Sequence, residues 1–483
     1  MLTLGACGPA VATTGTDGDD GSSTAEAPTS TTSSVPPNPS TTASPSTVTT
    51  TLTTGTPSGT AGSSEDSSDG SDVTTGVEVC QGDDCPIDVL VVVDNSRGLG
   101  GAQRALAFAM IDLESQLRAL GADAQVMFTT TDMGNPLCTP FEPDGYDPAS
   151  GSPITTACTD RLDDFTGLGG NPEMVQDACT DVCPEPLVPS GDPFVAFGPG
   201  RSNIDGKARV EDIDGDGRPD SVPARAMACL APMGVNGCGF ESPLEAMLQA
   251  LNPDASWNQG PRPFLRDDAA LGIVLLTDEF DCSVRNYDIM SNQEFFEVSP
   301  STGMPAASSA ICWNAGLDCA VVGGGMYDCL PAADEDRLHP LDRYRSWLSG
   351  YLAAELGKPV FMAGIVGVPS VTDRLDAPPY TPTAGGVQDL VLRDWTEADV
   401  LPAESAAGVT AADKQFDFGI GPGCSNPEST SRPQGLPPVR TATLCQDIAD
   451  DQGIDACCLE SICDDDYGNA MRCLTGMFQV TQG

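Results

Sequence analysis

The run Pro86-Ile87-Asp88-Val89-Leu90-Val91-Val92-Val93 leads straight into Asp94, and it restricts the fold more than any other feature of the chain. An apolar, β-branched run with almost no polar alternation has no solvent face. It predicts a central strand covered on both sides, as in parallel sheets flanked by helices. Leu106, Met110, Leu113, Leu117 and Leu120 follow at steps of four and three, which marks one face of a helix that stops at Gly121. A second strand is expected over 125–131. Its direction relative to the first stays open, because a helical crossover and a meander both fit the spacing.

Two later runs repeat the pattern, Leu271-Gly272-Ile273-Val274-Leu275-Leu276-Thr277-Asp278 and Val360-Phe361-Met362-Ala363-Gly364-Ile365-Val366. A helix is expected before each. The first spans 243–251, with Leu244, Met247, Leu248 and Leu251 on one side, and the second spans 342–356 and stops at Gly357. A last helix, 464–478, opens with three acids suited to a helix N-terminus and lines up Tyr467, Met471, Leu474 and Phe478. Alternating helices and apolar strands predict an α/β fold: a doubly wound, mostly parallel central sheet flanked by helices.

Between these elements lie Gly/Pro/Cys-rich insertions at about 134–236, 281–338 and 367–455, which hold most of the 19 cysteines. That number indicates an oxidising compartment, with disulfides replacing the core that long loops lack. The pairing is open, although Cys179 and Cys183 are expected in one local knot. Before residue 85 the chain changes character. Residues 8–84 are mainly Thr, Ser, Gly and Pro, too polar to build a core, and read as a disordered stalk.

Seventy Asp and Glu against 22 Lys and Arg give a net charge of −48. Such a surface repels phosphate backbones and anionic lipids, which excludes nucleic acid as a partner and favours cations as ligands. No stretch is apolar over the length needed to span a membrane. Catalysis is not expected either. The single histidine, His339, precedes a proline in a loop, and no nucleophile elbow, P-loop or dinucleotide fingerprint occurs.

In an open α/β sheet, ligands gather at the carboxyl ends of the strands. Two strands here end in aspartate: one continues Asp94-Asn95-Ser96-Arg97-Gly98, and the other ends Leu276-Thr277-Asp278. On these residues and the order of elements, 85–483 resembles the von Willebrand factor A family. That family's adhesion site uses Asp-x-Ser-x-Ser after the first strand, a Thr before a middle helix and an Asp after the fourth strand. The chain is also similar to cysteine-rich bacterial lipoproteins built on that domain, in which Asn95 and Gly237-Cys238-Gly239-Phe240-Glu241 look familiar.

The resemblance implies a Mg²⁺ or Ca²⁺ site at Asp94, Ser96, Glu241 and Asp278. Glu241 stands five residues before Ala246, the place of the family threonine, and Gly98 stands where the family has its second serine. Asp132 is expected in the surrounding shell. Ser242 opens Ser242-Pro243-Leu244-Glu245, the form of a capping box, and is read as a helix N-cap beside the site. Three carboxylates without a cation should raise one another's pKa values.

A second cation site is read in Asp212-Ile213-Asp214-Gly215-Asp216-Gly217-Arg218-Pro219-Asp220, with Asp212, Asp214, Asp216 and Asp220 spaced like the start of a calcium loop. It would hold structural Ca²⁺. At the other end of the chain, Cys7 follows Leu4-Gly5-Ala6, which resembles a bacterial lipobox. This implies that 1–7 is the remnant of a signal peptide, with Cys7 lipidated and the folded part held at the outer membrane or cell surface. The resulting expectation is a surface-anchored adhesion module whose cation engages an acidic group of a protein or polysaccharide. The alternatives are an envelope lipoprotein with a closed, stabilising metal and, below that, a metal-assisted hydrolase.

Overall fold

A computed structural model of the protein describes residues 85–167, 174–206, 211–334 and 336–479. Cys7 and the stalk 8–84 lie outside the described residues. The apolar run forms β1 (Cys85–Val93), and every residue from Val89 to Val93 is fully buried. Successive side chains of a strand point to opposite faces, so both faces of β1 are covered. Helix α1 (Gly100–Ala119) buries Leu106, Met110, Leu113 and Leu117 and ends at Gly121, whose φ of +71° is the left-handed conformation that closes helices.

The central sheet continues with β2 (Ala122–Thr130), β3 (Val195–Gly198), β4 (Arg201–Ser202), β5 (Ala270–Leu276), β6 (Val360–Val366) and β7 (Cys457–Ser461). Its order is β7-β6-β5-β1-β2-β3-β4. The five strands from β7 to β2 are parallel, which resolves the direction of β2, and β3 and β4 add antiparallel pairs at one edge. The chain therefore winds outward from β1 through β2, then returns to the other side of β1 to lay down β5, β6 and β7. The order reverses between β1 and β5. In open sheets of this kind the crevice at that reversal is where ligands sit. Register brings the two strands to a common end: Val93 is level with both Thr130 and Leu276, so Asp94, Thr131 and Thr277 leave the sheet together.

Helices α2 (Val222–Leu230), α3 (Pro243–Ala250), α4 (Leu341–Arg345, continued by a π-helical segment Ser346–Glu355), α5 (Val439–Gln452) and α6 (Gly468–Met477) complete the layers. Helix α6 begins four residues later than its acids suggest. Asp464 and Asp465 are used as ties, one accepting from Ser370 Oγ and the other from the Thr430 and Ser431 amides, and so do not enter the first turn. Strands β3, β4 and β7 and helices α2 and α5 were not expected, since most lie in the insertions among cysteines and glycines; α2 follows the 212–220 loop because Ser221 caps it and Pro223 sits in its first turn. No helix among the described residues is long and apolar enough to cross a membrane.

Eight disulfides pair the described cysteines: 138–238, 158–179, 183–229, 282–312, 319–329, 424–463, 445–457 and 458–473. Cys85 is also disulfide-bonded. Cys179 and Cys183 do share one knot, with Cys158, Cys229 and Phe165 packed around them. The insertions are not coreless, however. Phe280, Ile311, Trp313, Leu317 and Ile420 form a buried cluster of their own, so disulfides supplement that packing and do not replace it.

Candidate metal centre at the switch point

The loop after β1 turns on Asp94, whose Oδ1 accepts from the Ser96 amide at 2.8 Å and whose Oδ2 accepts from Thr277 Oγ1 at 2.7 Å. These bonds tie the end of β1 to the end of β5. Gln103 of α1 reaches the Asp94 carbonyl and the Gly234 carbonyl and accepts from the Met233 and Gly234 amides, which fixes the long first insertion against the same loop. Glu241 arrives from that insertion just before α3 and accepts from Thr131 Oγ1 at the end of β2. Asp278 follows β5 and is held by Arg432, whose Nε donates to Oδ2 at 2.6 Å.

Four buried oxygens of this group have no hydrogen-bond partner in the protein: Asn95 Oδ1, Ser96 Oγ, Glu241 Oε1 and Asp278 Oδ1. Buried polar atoms are rarely left unpaired, because stripping one of water costs about 1–3 kcal/mol. Here they come from three chain segments that meet at the reversal of strand order. An all-oxygen donor set with no nitrogen or sulfur suits Mg²⁺ or Ca²⁺. The donor types of these residues thus suit such a cation, with Asp94 braced among them.

The electrostatics agree with a cluster of anions. Burial first, and then Asp278, pushes the Asp94 carboxyl up to about 6. Burial, with Asp94 and Asp132 nearby, pushes Glu241 well above the usual carboxylate range. Glu279, next to Asp278, is raised in the same way by burial and by Asp278 and Asp94. The three expected ligands are not gathered as tightly as three charges around one ion. Among the described residues, three carboxylates bring oxygens within 4.8 Å of one another only at Asp212, Asp214 and Asp216. Thr131 draws one oxygen of Glu241 aside, and Arg432 draws one oxygen of Asp278.

Asp132 is fully committed nearby: Oδ2 accepts from Tyr146 Oη and the Cys238 amide, and Oδ1 accepts from the Gly134 amide. Tyr146 in turn accepts from Asn95 Nδ2, so Asp132 orients Asn95 through one hydroxyl. Ser242 takes the N-cap position that its sequence context suggests, but its side chain does not cap the helix. Its Oγ donates to the Cys282 carbonyl, and the α3 amides of Leu244 and Glu245 are taken by Asp281 Oδ1 and Ser283 Oγ of the following loop. Glu245, the other half of the expected box, is drawn away by Arg343 and Gln249.

In the 212–220 loop, Asp212, Asp214 and Asp216 are exposed and close together, each accepting from an amide two to five residues on. Asp220 stands slightly apart and closes the loop on the Ile213 amide. The field of the loop reaches α1, where Asp112 is raised by burial, by Asp466 and by Asp214 and Asp216.

A cavity of about 700 Å³ lies elsewhere, at the amino-terminal edge of β1 and β2. Its Arg201, Arg262 and Arg266 are each already paired with an aspartate.

Comparison with protein-family models, with curated proteins and with solved structures finds no match to this chain. Sequence reasoning missed Thr277, Thr131, Gln103, Tyr146, Glu279 and Arg432. Thr277 had a signal, a polar residue at the end of an apolar run. Arg432 had only the scarcity of basic residues, since it comes from the third insertion, far along the chain.

Proposed function

We propose that residues 85–483 form a binding module of von Willebrand factor A type that holds Mg²⁺ or Ca²⁺ through Asp94, Ser96, Glu241 and Asp278. The four partnerless buried oxygens at the switch point carry this reading. A bound cation would satisfy them, neutralise the Asp94, Glu241 and Asp278 carboxylates, and present positive charge to an acidic group of a protein or polysaccharide. The chain supplies no histidine there and no activated nucleophile, so the reading is recognition and not hydrolysis. Cys7 would anchor the module by lipid to the bacterial envelope, at the outer membrane or cell surface, on the stalk 8–84. Asp212, Asp214, Asp216 and Asp220 would hold a structural Ca²⁺.

A second reading, a closed and purely stabilising metal, is favoured by one observation: Asp94, Ser96, Glu241 and Asp278 are at most 4% exposed. The two are separated by counting water on the ion. Mn²⁺ bound to the full chain reports its inner-sphere water through proton relaxation. Fast-exchanging water that is lost when a carboxylate ligand is added supports adhesion, absence of such water supports the closed site, and failure of Mn²⁺ to bind sinks both.

A further inference from the structure

The second insertion projects a β-hairpin, Leu317–Gly323 paired with Met326–Pro331 and stapled by the Cys319–Cys329 disulfide. Three glycines with positive φ, 323–325, form its tip. The two strands have different surroundings. Met326–Pro331 is flanked on its outer side by residues 392–394, through Tyr327 N to the Leu392 carbonyl and Asp394 N to the Gly325 carbonyl, both at 2.9 Å. Leu317–Gly323 has no such neighbour. Among the described residues, none of 318–323 makes a main-chain hydrogen bond outside the hairpin. Apolar side chains stand exposed beside this free edge: Val321 is 72% and Val322 60% exposed on this strand, and Leu330 70% on its partner.

Exposed edges in soluble proteins are ordinarily blunted by lysine, proline or a covering segment, because unpaired amides and carbonyls recruit another strand. This edge carries no lysine or proline; the Cys319–Cys329 disulfide ties it to its partner strand, and the one irregularity in the pairing lies at its tip, between Val321 and Gly323. We propose that Asp318–Gly323 is a docking edge for an extended segment of a partner protein in which apolar residues alternate with basic ones. The main chain of the segment would add a third strand to the hairpin, and its apolar side chains would cover Val321, Val322 and Leu330. Charge selects the occupant. The chain carries −48, the hairpin itself holds Asp318 and Asp328, and Asp394 and Glu297 stand beside its Tyr327, so a basic strand is attracted, whereas a second copy of this chain is repelled.

The test uses the full chain with its disulfides intact and a labelled synthetic peptide of alternating lysine and valine. Saturable binding is expected, together with slowed amide hydrogen exchange over 318–323. The double substitution Val321→Lys, Val322→Lys should weaken binding about tenfold or more. Both positions are exposed, so an unchanged melting temperature will show that the variant folds. Replacing the central valines of the peptide by proline keeps its charge but removes strand pairing, and should abolish binding. Equal binding of the proline peptide, or no protection of 318–323, overturns the proposal in favour of simple charge attraction. Protection that rises with protein concentration without peptide overturns it in favour of self-association.

Discussion

Arg432 donates through Nε to Asp278 Oδ2 at 2.6 Å, and the same guanidinium lies over Gly98, where a Cβ would stand 2.1 Å from Nη1. A glycine at this position therefore has a physical reason: a side chain there would displace the guanidinium that pairs with Asp278. Gly98 also has a φ of +94°, which other residues rarely adopt. Gly98→Ser should destabilise the protein by about 2–4 kcal/mol, part steric and part backbone strain. Arg432→Ala made together with it should recover the steric part only. A double-mutant cycle by denaturant unfolding checks this, and strict additivity of the two changes would show that Arg432 does not close over Gly98.

Glu241→Gln tests the cation directly. The amide keeps the bond with Thr131 but removes a buried charge whose carboxyl is already pushed well up by burial and by Asp94. Without metal the variant should be more stable than the parent. With metal the order should reverse, because saturation at a hundredfold over Kd adds about 2.7 kcal/mol to the parent alone. Calorimetry with EDTA and with excess Mg²⁺ or Ca²⁺ reads both signs. A variant that still gains stability from the ion removes Glu241 from the site.

Asp94 sets a pH dependence. Its carboxyl rises from the ordinary 3.8 to about 6 in the folded chain. Between those values the folded protein holds a proton that the unfolded chain has released, so stability falls as pH rises through this window and stays lower above it. The metal-free protein should melt higher near pH 5 than above pH 7, and a saturating cation should narrow the gap because it favours the ionised form. Relief of the −48 charge at low pH acts in the same direction. The Asp94→Asn variant isolates the site: its gap between the two pH values should be smaller than that of the parent.

The exposed Asp212–Asp214–Asp216 group makes a separate prediction. Asp216→Asn should weaken Ca²⁺ at the loop by about tenfold, since a charged ligand in a solvated site contributes mainly through Coulomb attraction. Titration calorimetry on Glu241→Gln, where the switch-point site is impaired, would read the loop alone. Unaltered Ca²⁺ heat in the double variant would exclude the loop as a Ca²⁺ site.

The parts of this fold that could be read in the chain are those whose cause is local. β1, β5 and β6 declare themselves because strands buried on both faces must be apolar throughout, and α1 does so because one face of it is Leu and Met. Asp94 and Asp278 follow from the same fact, being the first polar residues after such runs. What could not be read depends on distant partners. β7 is five residues that open with two cysteines, Cys457–Ser461, and is a strand because β6 offers it an edge. Arg432 matters because the third insertion, tied past the end of β5 by Leu436 N to the Asp278 carbonyl, brings it to the Asp278 side chain. Ser242 stands at the N-cap as its local sequence says, but the bonds its side chain would make to the helix are taken by Asp281 and Ser283 of a later loop.

That replacement supports the last prediction. Asp281 accepts from the Leu244 amide and from Ser283 Oγ through Oδ1, and its Oδ2 accepts from Arg440 Nε at 2.8 Å. Asp281 and Arg440 have no exposed side-chain surface, and Arg440 also donates to the His339 carbonyl. Removing the acid leaves a buried guanidinium without its counter-charge and the start of α3 without an acceptor, so Asp281→Ala should cost about 3–5 kcal/mol. Most of this is the stranded charge. Arg440→Met fills a similar volume without one, so Asp281→Ala with Arg440→Met should be markedly more stable than Asp281→Ala alone. Glu241 lies three residues before Leu244, so loosening α3 should also weaken Mg²⁺ or Ca²⁺ binding in Asp281→Ala. Unfolding curves of the three variants, with and without cation, measure both effects. A double variant no more stable than the single one would mean that Asp281 acts as a helix cap and that its pairing with Arg440 contributes little.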